Sequence, residues 1–500
     1  MIVNKSLYPV STTIKTITGM QKQLESLQLQ LGTGKRYNSL AEIGSHRVHD
    51  LNIRARLGRI EGFMANIQTV ETRLSFYTNG LERLDEIEAD ARALAVPGAY
   101  GTDGINLANA KNQATALLGE VIDTLNTDIM GQYIFGGNAS DRKPVASLGE
   151  ILHGPNGFVS FVQARQTGNP ADPADLGDLG DVDDPAEQGI GRLDRAVAAN
   201  VVTVSEDGDH DRGFKLAGGS STNPAITVGF DPAAPQPREV TVDFGAQPEP
   251  GQSVTILVTY PNDRTRTEAI TLKATTDVPP PPGTFLIGAD ADETAANFSD
   301  SLKTSLVKLR DTTLTAASTY AAADQFFTKR GETAHPDAMQ WYQGQYATED
   351  GNSRLSVSTN IDESTRVNYG VTANEDGIVE LVKGLAVFAV SELTPLDDTN
   401  AGIYDGLVAL QRARLSEVNN AKPGSIEGIT MELGLAAHTL NTVKARHTQY
   451  DAQLKTMLSD IETAPVEEVA MQILTLQTRL QASYQVTSMV SQLTLVNYLR

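Results

Sequence analysis

The 500-residue sequence predicts a mainly α-helical protein with an inserted β-rich region. The helices form a discontinuous, coiled-coil-like bundle from the N- and C-terminal segments, with α+β outer domains inserted between them. Three observations predict this. Apolar residues recur every seven positions near both ends. The first 140 residues hold only Pro9 and Pro97. From about 145 to 370 the chain turns rich in Gly, Pro, Asp and Thr. The expected division is 1–45 with 463–500 as terminal assembly helices, 46–144 with 370–462 as a helical rod, and 145–369 as outer domains.

The first helix follows from Val10, Ile17, Leu24 and Leu31, with Met20 and Leu27 at the second apolar position. A 3.5-residue spacing keeps one seam turned to one partner along a long helix. The next segment repeats it with Ile53, Ile60, Ile67, Leu74 and Leu81, beside Phe63, Val70, Tyr77, Leu84 and Ala91. Near the other end Ile426, Ile429, Leu433, Ala436, Leu440, Val443, His447, Tyr450, Leu454, Met457 and Ile461 step 3-4-3-4, and only His447 among them is neither apolar nor aromatic. After Ala464-Pro465, a helix-starting pair, a last helix carries Val469, Ile473, Leu476, Leu480, Tyr484, Met489, Leu493 and Val496. In the middle, 240–244, 254–260, 270–272 and 285–287 read as strands, and roughly Glu293 to Arg310 as a helix.

Composition excludes several functions. Forty Lys+Arg against 62 Asp+Glu leave a formal charge of −22. That argues against a nucleic-acid binder, which needs a cationic face, and against a polybasic membrane anchor. The absence of cysteine removes disulfides, thiolate metal sites and Cys nucleophiles. No apolar run is long enough to span a bilayer, so no membrane insertion is expected. Met1 to Pro9 has no basic-then-apolar pattern of a cleavable secretion signal, so a chain that leaves the cell does so by another route.

The charge is uneven. The first 36 residues carry five bases against the single acid Glu25, and the last helix has no acid after Glu468. A solvated helix normally shows a charged outer face. Charge-poor amphipathic ends therefore predict burial against other copies of the chain, with one more helix pair within the chain as the alternative. The expected subunit-interface residues are Val10, Ile17, Met20, Leu24, Leu27, Leu31, Val469, Ile473, Leu476, Leu480, Tyr484, Leu493 and Val496.

Three stretches resemble the bacterial flagellin family, and within it more closely the hook–filament junction branch. They are Leu29-Gln30-Leu31-Gly32-Thr33-Gly34-Lys35-Arg36-Tyr37-Asn38-Ser39, then Gly131-Gln132-Tyr133-Ile134-Phe135-Gly136-Gly137-Asn138 before Pro144, and the end from Gln481 to Leu499. A looser match runs from Tyr369 to Glu375. After Ser39 the chain departs from the family's Pro/Asp-rich continuation, with Leu40-Ala41-Glu42-Ile43-Gly44-Ser45. The resemblance implies a secreted structural subunit of the flagellum, not an enzyme, exported unfolded by the flagellar type III route. It implies three kinds of partner: neighbouring copies, other hook-associated protein and flagellin subunits, and a flagellar export chaperone. Leu476, Leu480, Tyr484 and Leu493 are the candidate chaperone-docking residues. A filament flagellin is the nearest alternative, and a secreted calcium-binding adhesin or enzyme on a helical stalk the more remote one.

Tempting chemistry fails on inspection, and no cofactor, metal or catalytic residue is expected. Gly32-Thr33-Gly34-Lys35-Arg36 lacks the first glycine and the hydroxyl of a phosphate loop, so it reads as a helix-terminating turn. None of the seven histidines is followed by Glu, so a zincin helix is absent. His46 and His49 read as a solvated helix start beside Asp50, and His447 as a neutral seam histidine bonded across the coiled coil. Asp207, Asp209 and Asp211 alternate as calcium ligands do. The positions where an EF-hand needs Gly and Glu hold Arg212 and Gly218, so a solvated loop is the better reading. The acidic run Asp172 to Glu187 is also expected to be a solvated, exposed loop.

Overall fold

A computed structural model describes residues 8–37, 39, 42–101, 104–168, 177–180, 189–329, 332–333, 335–345 and 353–498. Its helices are α1 (Tyr8–Thr33), α2 (Arg47–Leu94), α3 (Ile105–Leu125), α4 (Leu148–His153), α5 (Phe158–Thr167), α6 (Ala291–Leu309), α7 (Thr315–Phe326), α8 (Asp376–Val390), α9 (Asp398–Arg414), α10 (Ile426–Glu462) and α11 (Val466–Tyr498). The strands are β1 (Asp128–Ile129), β2 (Gln132–Tyr133), β3 (Leu193–Ala198), β4 (Val201–Glu206), β5 (Lys215–Ser221), β6 (Ile226–Phe230), β7 (Glu239–Phe244), β8 (Ser253–Tyr260), β9 (Asp263–Thr275), β10 (Thr284–Leu286), β11 (Ser358–Asn360) and β12 (Arg366–Asn368). Long helices at both ends thus frame an inserted sheet-rich region, as the heptads and the Gly/Pro zone predict.

The chain divides into two compact units, with boundaries inside α2 and α10. The first holds 1–69, 360–367 and 438–500; the second holds 70–359 and 368–437.

In the first unit α1 stops where Gly34 takes φ +68°, a left-handed conformation that lacks a penalty only for glycine. Its N–H donates to the Gln30 carbonyl at 2.8 Å. Lys35 then forms an antiparallel bridge with Thr463. The Arg36 N–H donates to the Glu462 carbonyl (2.6 Å) and the Ala464 N–H to the Gly34 carbonyl (2.9 Å). The Gly-Thr-Gly-Lys-Arg segment is therefore the terminating turn expected of it, and it is stitched to the corner before α11. Farther along, Ile53, Leu57 and Ile60 of α2 share a core with Leu454 of α10, flanked by Met64, Leu458 and Ile461. Tyr450 and Met457 depart from the expected seam: both are about 40% exposed.

The tip of the β11–β12 hairpin belongs to this unit. Ile361 is fully buried, and its carbonyl accepts from His447 Nε2 at 2.9 Å. A carbonyl only accepts, so the ring is protonated at Nε2. His447 also stacks on Phe63, with centroids 5.6 Å apart. The seam histidine is thus bonded to a hairpin carbonyl, a partner its heptad position did not reveal. His46 and His49 are exposed, whereas Asp50 in the first turn of α2 is buried and ion-paired with Arg54 at 3.2 Å.

In the second unit, the α2 seam continues with Val70, Leu74, Tyr77, Leu81, Leu84 and Ala91, all buried. α3 packs along α8, an almost wholly buried helix, and Gln411 of α9 donates to the Ala91 carbonyl at 2.7 Å. The inserted part has two four-stranded sheets, ordered β3-β4-β7-β6 and β10-β9-β8-β5. All neighbours pair antiparallel except β10 on β9. Their inward residues, among them Val202, Val240, Val242, Val254, Ile256 and Leu272, share one core with Phe298, Leu302 and Leu306 of α6. The strands expected at 240–244, 254–260 and 270–272 fall within β7, β8 and β9, and the one at 285–287 overlaps β10, which ends at Leu286. Strands β3 to β6 and helices α4, α5 and α7 lie outside the elements that the sequence pattern predicts. α7 is built mainly of Ala, Ser and Thr and is buried on nearly every side, so it shows no amphipathic stripe.

Candidate assembly surface

The terminal helices are the part of the molecule whose sequence demands a partner, and they meet each other. α1 and α11 run antiparallel, with Leu27, Ala464, Val469, Ile473 and Leu476 in one core and Met20 and Leu24 against it. Gln21 Nε2 donates to the Tyr484 hydroxyl at 2.7 Å. Ile17 and Leu480 are also buried. Within a single chain, part of that seam is therefore covered by the pairing of α1 with α11. Of the thirteen residues named for a subunit interface, Ile17, Leu27, Val469, Ile473, Leu476 and Leu480 are buried within the chain, and Met20 and Leu24 partly so. Leu31 and Tyr484 stay exposed, at 41% and 49%. The side chains of Val10, Leu493 and Val496 lie outside the described residues.

A second face remains. Met471, Leu474, Val486 and Met489 are each more than half exposed. At about 100° per residue they project from α11 on the side opposite Val469, Ile473, Leu476 and Leu480. α11 is therefore apolar on two opposed faces, one covered by α1 and one uncovered. Ile14 and Leu29 add exposed apolar surface on α1. The sequence signal for this was available in the charge-poor outer face of α11. Of the candidate chaperone-docking residues, Leu476 and Leu480 face α1 in the folded chain and Tyr484 is exposed, while the side chain of Leu493 lies outside the described residues.

The second unit brings two of the family-like stretches together. The β1–β2 hairpin leads into Phe135, whose ring sits edge-on to Tyr77 at 5.4 Å. The Tyr77 hydroxyl donates to the Ile134 carbonyl at 2.7 Å, and burial pushes its titration far above the usual tyrosine range. Gly136 bridges Thr372, and the Ala373 N–H donates to the Phe135 carbonyl at 2.9 Å. The loosely matching stretch from Tyr369 to Glu375 is thus the pairing partner of the Tyr133-Ile134-Phe135-Gly136 segment.

A half-buried cluster of charges in this unit is internally matched. Lys383 reaches Asp324 at 3.0 Å, and Arg414 takes both Asp324 (2.6 Å) and Glu380 (3.2 Å). Burial raises both carboxyls, but Arg414 and Lys383 hold Asp324, and Lys383, Arg414 and Lys329 hold Glu380, below the ordinary range. Glu88 differs: burial and the nearby Glu427 push it to about 7 although Arg92 lies 2.9 Å away. The calcium-like loop is spread among separate cations. Asp207 pairs with Arg192 at 2.7 Å and with His210 at 2.8 Å, and Asp211 pairs with Arg264 at 2.9 Å. Among the described residues no group of three or more His, Asp or Glu is placed to hold a metal ion. Of the acidic run from Asp172 to Glu187, only 177–180 are described. There Asp178 corrects the expected solvated loop: it is fully buried, takes Arg165 at 2.7 Å and accepts from Ser318 and the Gly213 N–H. Among the described residues no helix is long and apolar enough to cross a membrane.

Residues 5–140 match the family model of the bacterial flagellin N-terminal helical region. That stretch covers α1, α2, α3 and the β1–β2 hairpin, a little over a quarter of the chain. No curated protein matches the chain. The match supports a structural subunit of the flagellin type, a class whose members are exported and polymerise outside the cell.

Proposed function

We propose that the chain is a structural, non-catalytic subunit of the bacterial flagellum, of the hook-associated protein 3 type, joining hook to filament. It is exported unfolded and assembles through its terminal helices. The observation that carries this reading is α11, a helix with few charges and two opposed apolar faces, in a chain whose first 140 residues are flagellin-like. A helix with two such faces needs two partners. α1 is one, and neighbouring copies, with other hook-associated protein and flagellin subunits, cover the other. Burial of apolar surface, at roughly 25 cal/mol per Å², supplies the association energy. An export chaperone covers the same face beforehand. In this reading 1–45 with 463–500 form the assembly layer, 46–144 with 370–462 the supporting rod, and 145–369 the outward part.

Localisation tests it. A tagged copy confined to the filament base, and a deletion strain that secretes flagellin without retaining it, are the expected results. Label along the whole filament makes the chain a filament flagellin instead. Label away from the flagellum refutes the proposal.

A further inference from the structure

The two compact units carry opposite charge. The first has 15 Lys and Arg against 11 Asp and Glu, a net +4; the second has 25 against 51, a net −26. Within the cationic unit a groove of about 640 Å³ opens between α2, α10 and the hairpin tip. Arg56, Arg59 and Arg446 line it, facing Asp362 and Glu363, so the groove is itself cationic by one charge. Its wall carries the stacked Phe63 and His447, and Tyr450.

The arginines are held in a way that leaves them exchangeable. Arg59 meets Glu363 at 2.6 Å, but the two side chains are 58% and 67% exposed. Arg446 pairs with Asp362 while 57% exposed. Arg56 donates to the Tyr450 hydroxyl at 2.9 Å, a neutral partner. Exposed pairs of this kind contribute little to stability, so a stronger carboxylate partner displaces them at small cost. Arginine and tyrosine beside an aromatic wall are also the side chains that dominate protein interfaces.

We propose that this groove is an interaction site for a carboxylate-rich segment of a second copy, contributed by that copy's acidic unit. The contact joins two different surfaces, so it repeats from copy to copy. The charge difference between the units identifies the occupant: each copy presents one cationic groove and a large excess of carboxylates. Complementary charge of this sort steers association and sets register. The inference rests on self-assembly of the chain and adds the electrostatic contact that orients it.

The absence of cysteine makes a clean test possible, because Gln453→Cys in the groove wall is then a unique attachment point for a photocrosslinker. Full-length labelled chain is assembled from a mixture of isotopically heavy and light copies, crosslinked and mapped by mass spectrometry. Heavy–light crosslinks from Gln453→Cys to acidic peptides within 70–359 or 368–437 are expected. Heavy–light crosslinks confined to 1–69 or 438–500 overturn the proposal. In parallel, the Arg56→Gln/Arg59→Gln/Arg446→Gln variant is expected to raise the critical concentration for assembly about tenfold and to flatten its salt dependence. A folded variant, checked by circular dichroism, that assembles as the parent does at every salt concentration refutes the groove while leaving self-assembly intact. A parent chain that never assembles, even on hook or filament ends, refutes both.

Discussion

Leu27→Ala tests whether the terminal helices pair within a single chain. Leu27 is 6% exposed and sits in the α1–α11 core with Ala464, Val469, Ile473 and Leu476. Those five residues, with Met20 and Leu24 alongside and the buried Ile17 and Leu480 beyond, hold together helices of 26 and 33 residues. So small a core makes the pair a low-stability region that opens by itself, ahead of the sheet-rich unit. Truncating a buried leucine costs about 2–4 kcal/mol, and the lower half of that range applies where a two-helix layer collapses easily. A loss of about 2–3 kcal/mol speeds exchange by local opening about 30- to 140-fold. Hydrogen-exchange mass spectrometry of the full monomeric chain reads this directly. Peptides from 14–32 and 467–482 are expected to lose protection together, while those of β7, β8 and α8 stay unchanged. Unchanged exchange in both helices refutes the argument. So does a parent chain whose terminal amides already exchange at the free-chain rate, because the seam would then have no partner in the monomer.

Four further outcomes follow from named contacts. Gly34→Ala forces a side chain into φ +68° with no steric obstruction, and a loss of about 1 kcal/mol is expected; Gly32→Ala, inside α1 and equally open, is expected to gain about 0.5–1 kcal/mol, both read as changes in exchange protection of α1. Tyr77→Phe strands the buried Ile134 carbonyl and is expected to lower the denaturant-derived stability of the second unit by about 1–2 kcal/mol. Arg414→Leu leaves the half-buried Asp324 and Glu380 without their main cation, with Lys383 and Lys329 still beside them, an expected loss of about 1–3 kcal/mol by urea unfolding. Glu88 supplies the pH dependence: its folded value near 7 lies above the unfolded 4.5, so the folded state holds the proton longer and stability falls as pH rises from about 4.5 to 7. Glu88→Gln is expected to flatten that fall, and unfolding midpoints that drop identically in both proteins across this window contradict it.

Much of the architecture was legible because a heptad is a geometric statement. Val70, Leu74, Tyr77, Leu81 and Leu84 recur at the spacing of a helix turned to one partner, and each is buried. Alternating Val and Ile in 254–258 likewise marked a strand with one face in the core. Gly34 announced the end of α1 because only glycine adopts its conformation cheaply. The weak spots share a physical reason. α7 has no stripe because it is buried all round, and β5, with its Gly218-Gly219 pair, lacks the branched residues that flag a strand.

By itself, then, the sequence determined that both ends are long charge-poor helices, that a sheet-rich acidic region lies between them, and that nothing in it assembles a recognisable catalytic motif. Periodicity and composition are local properties, so one chain suffices to read them. Only the tertiary structure decided which partner each apolar face has. It placed Ile473 and Leu476 against α1 and left Met471, Leu474, Val486 and Met489 open. It seated Ile361 beside His447, paired Phe135 with Ala373, and buried Asp178 inside an acidic run. A seam states that a helix needs cover without naming what provides it. That depends on contacts between residues hundreds of positions apart, such as Gln21 and Tyr484.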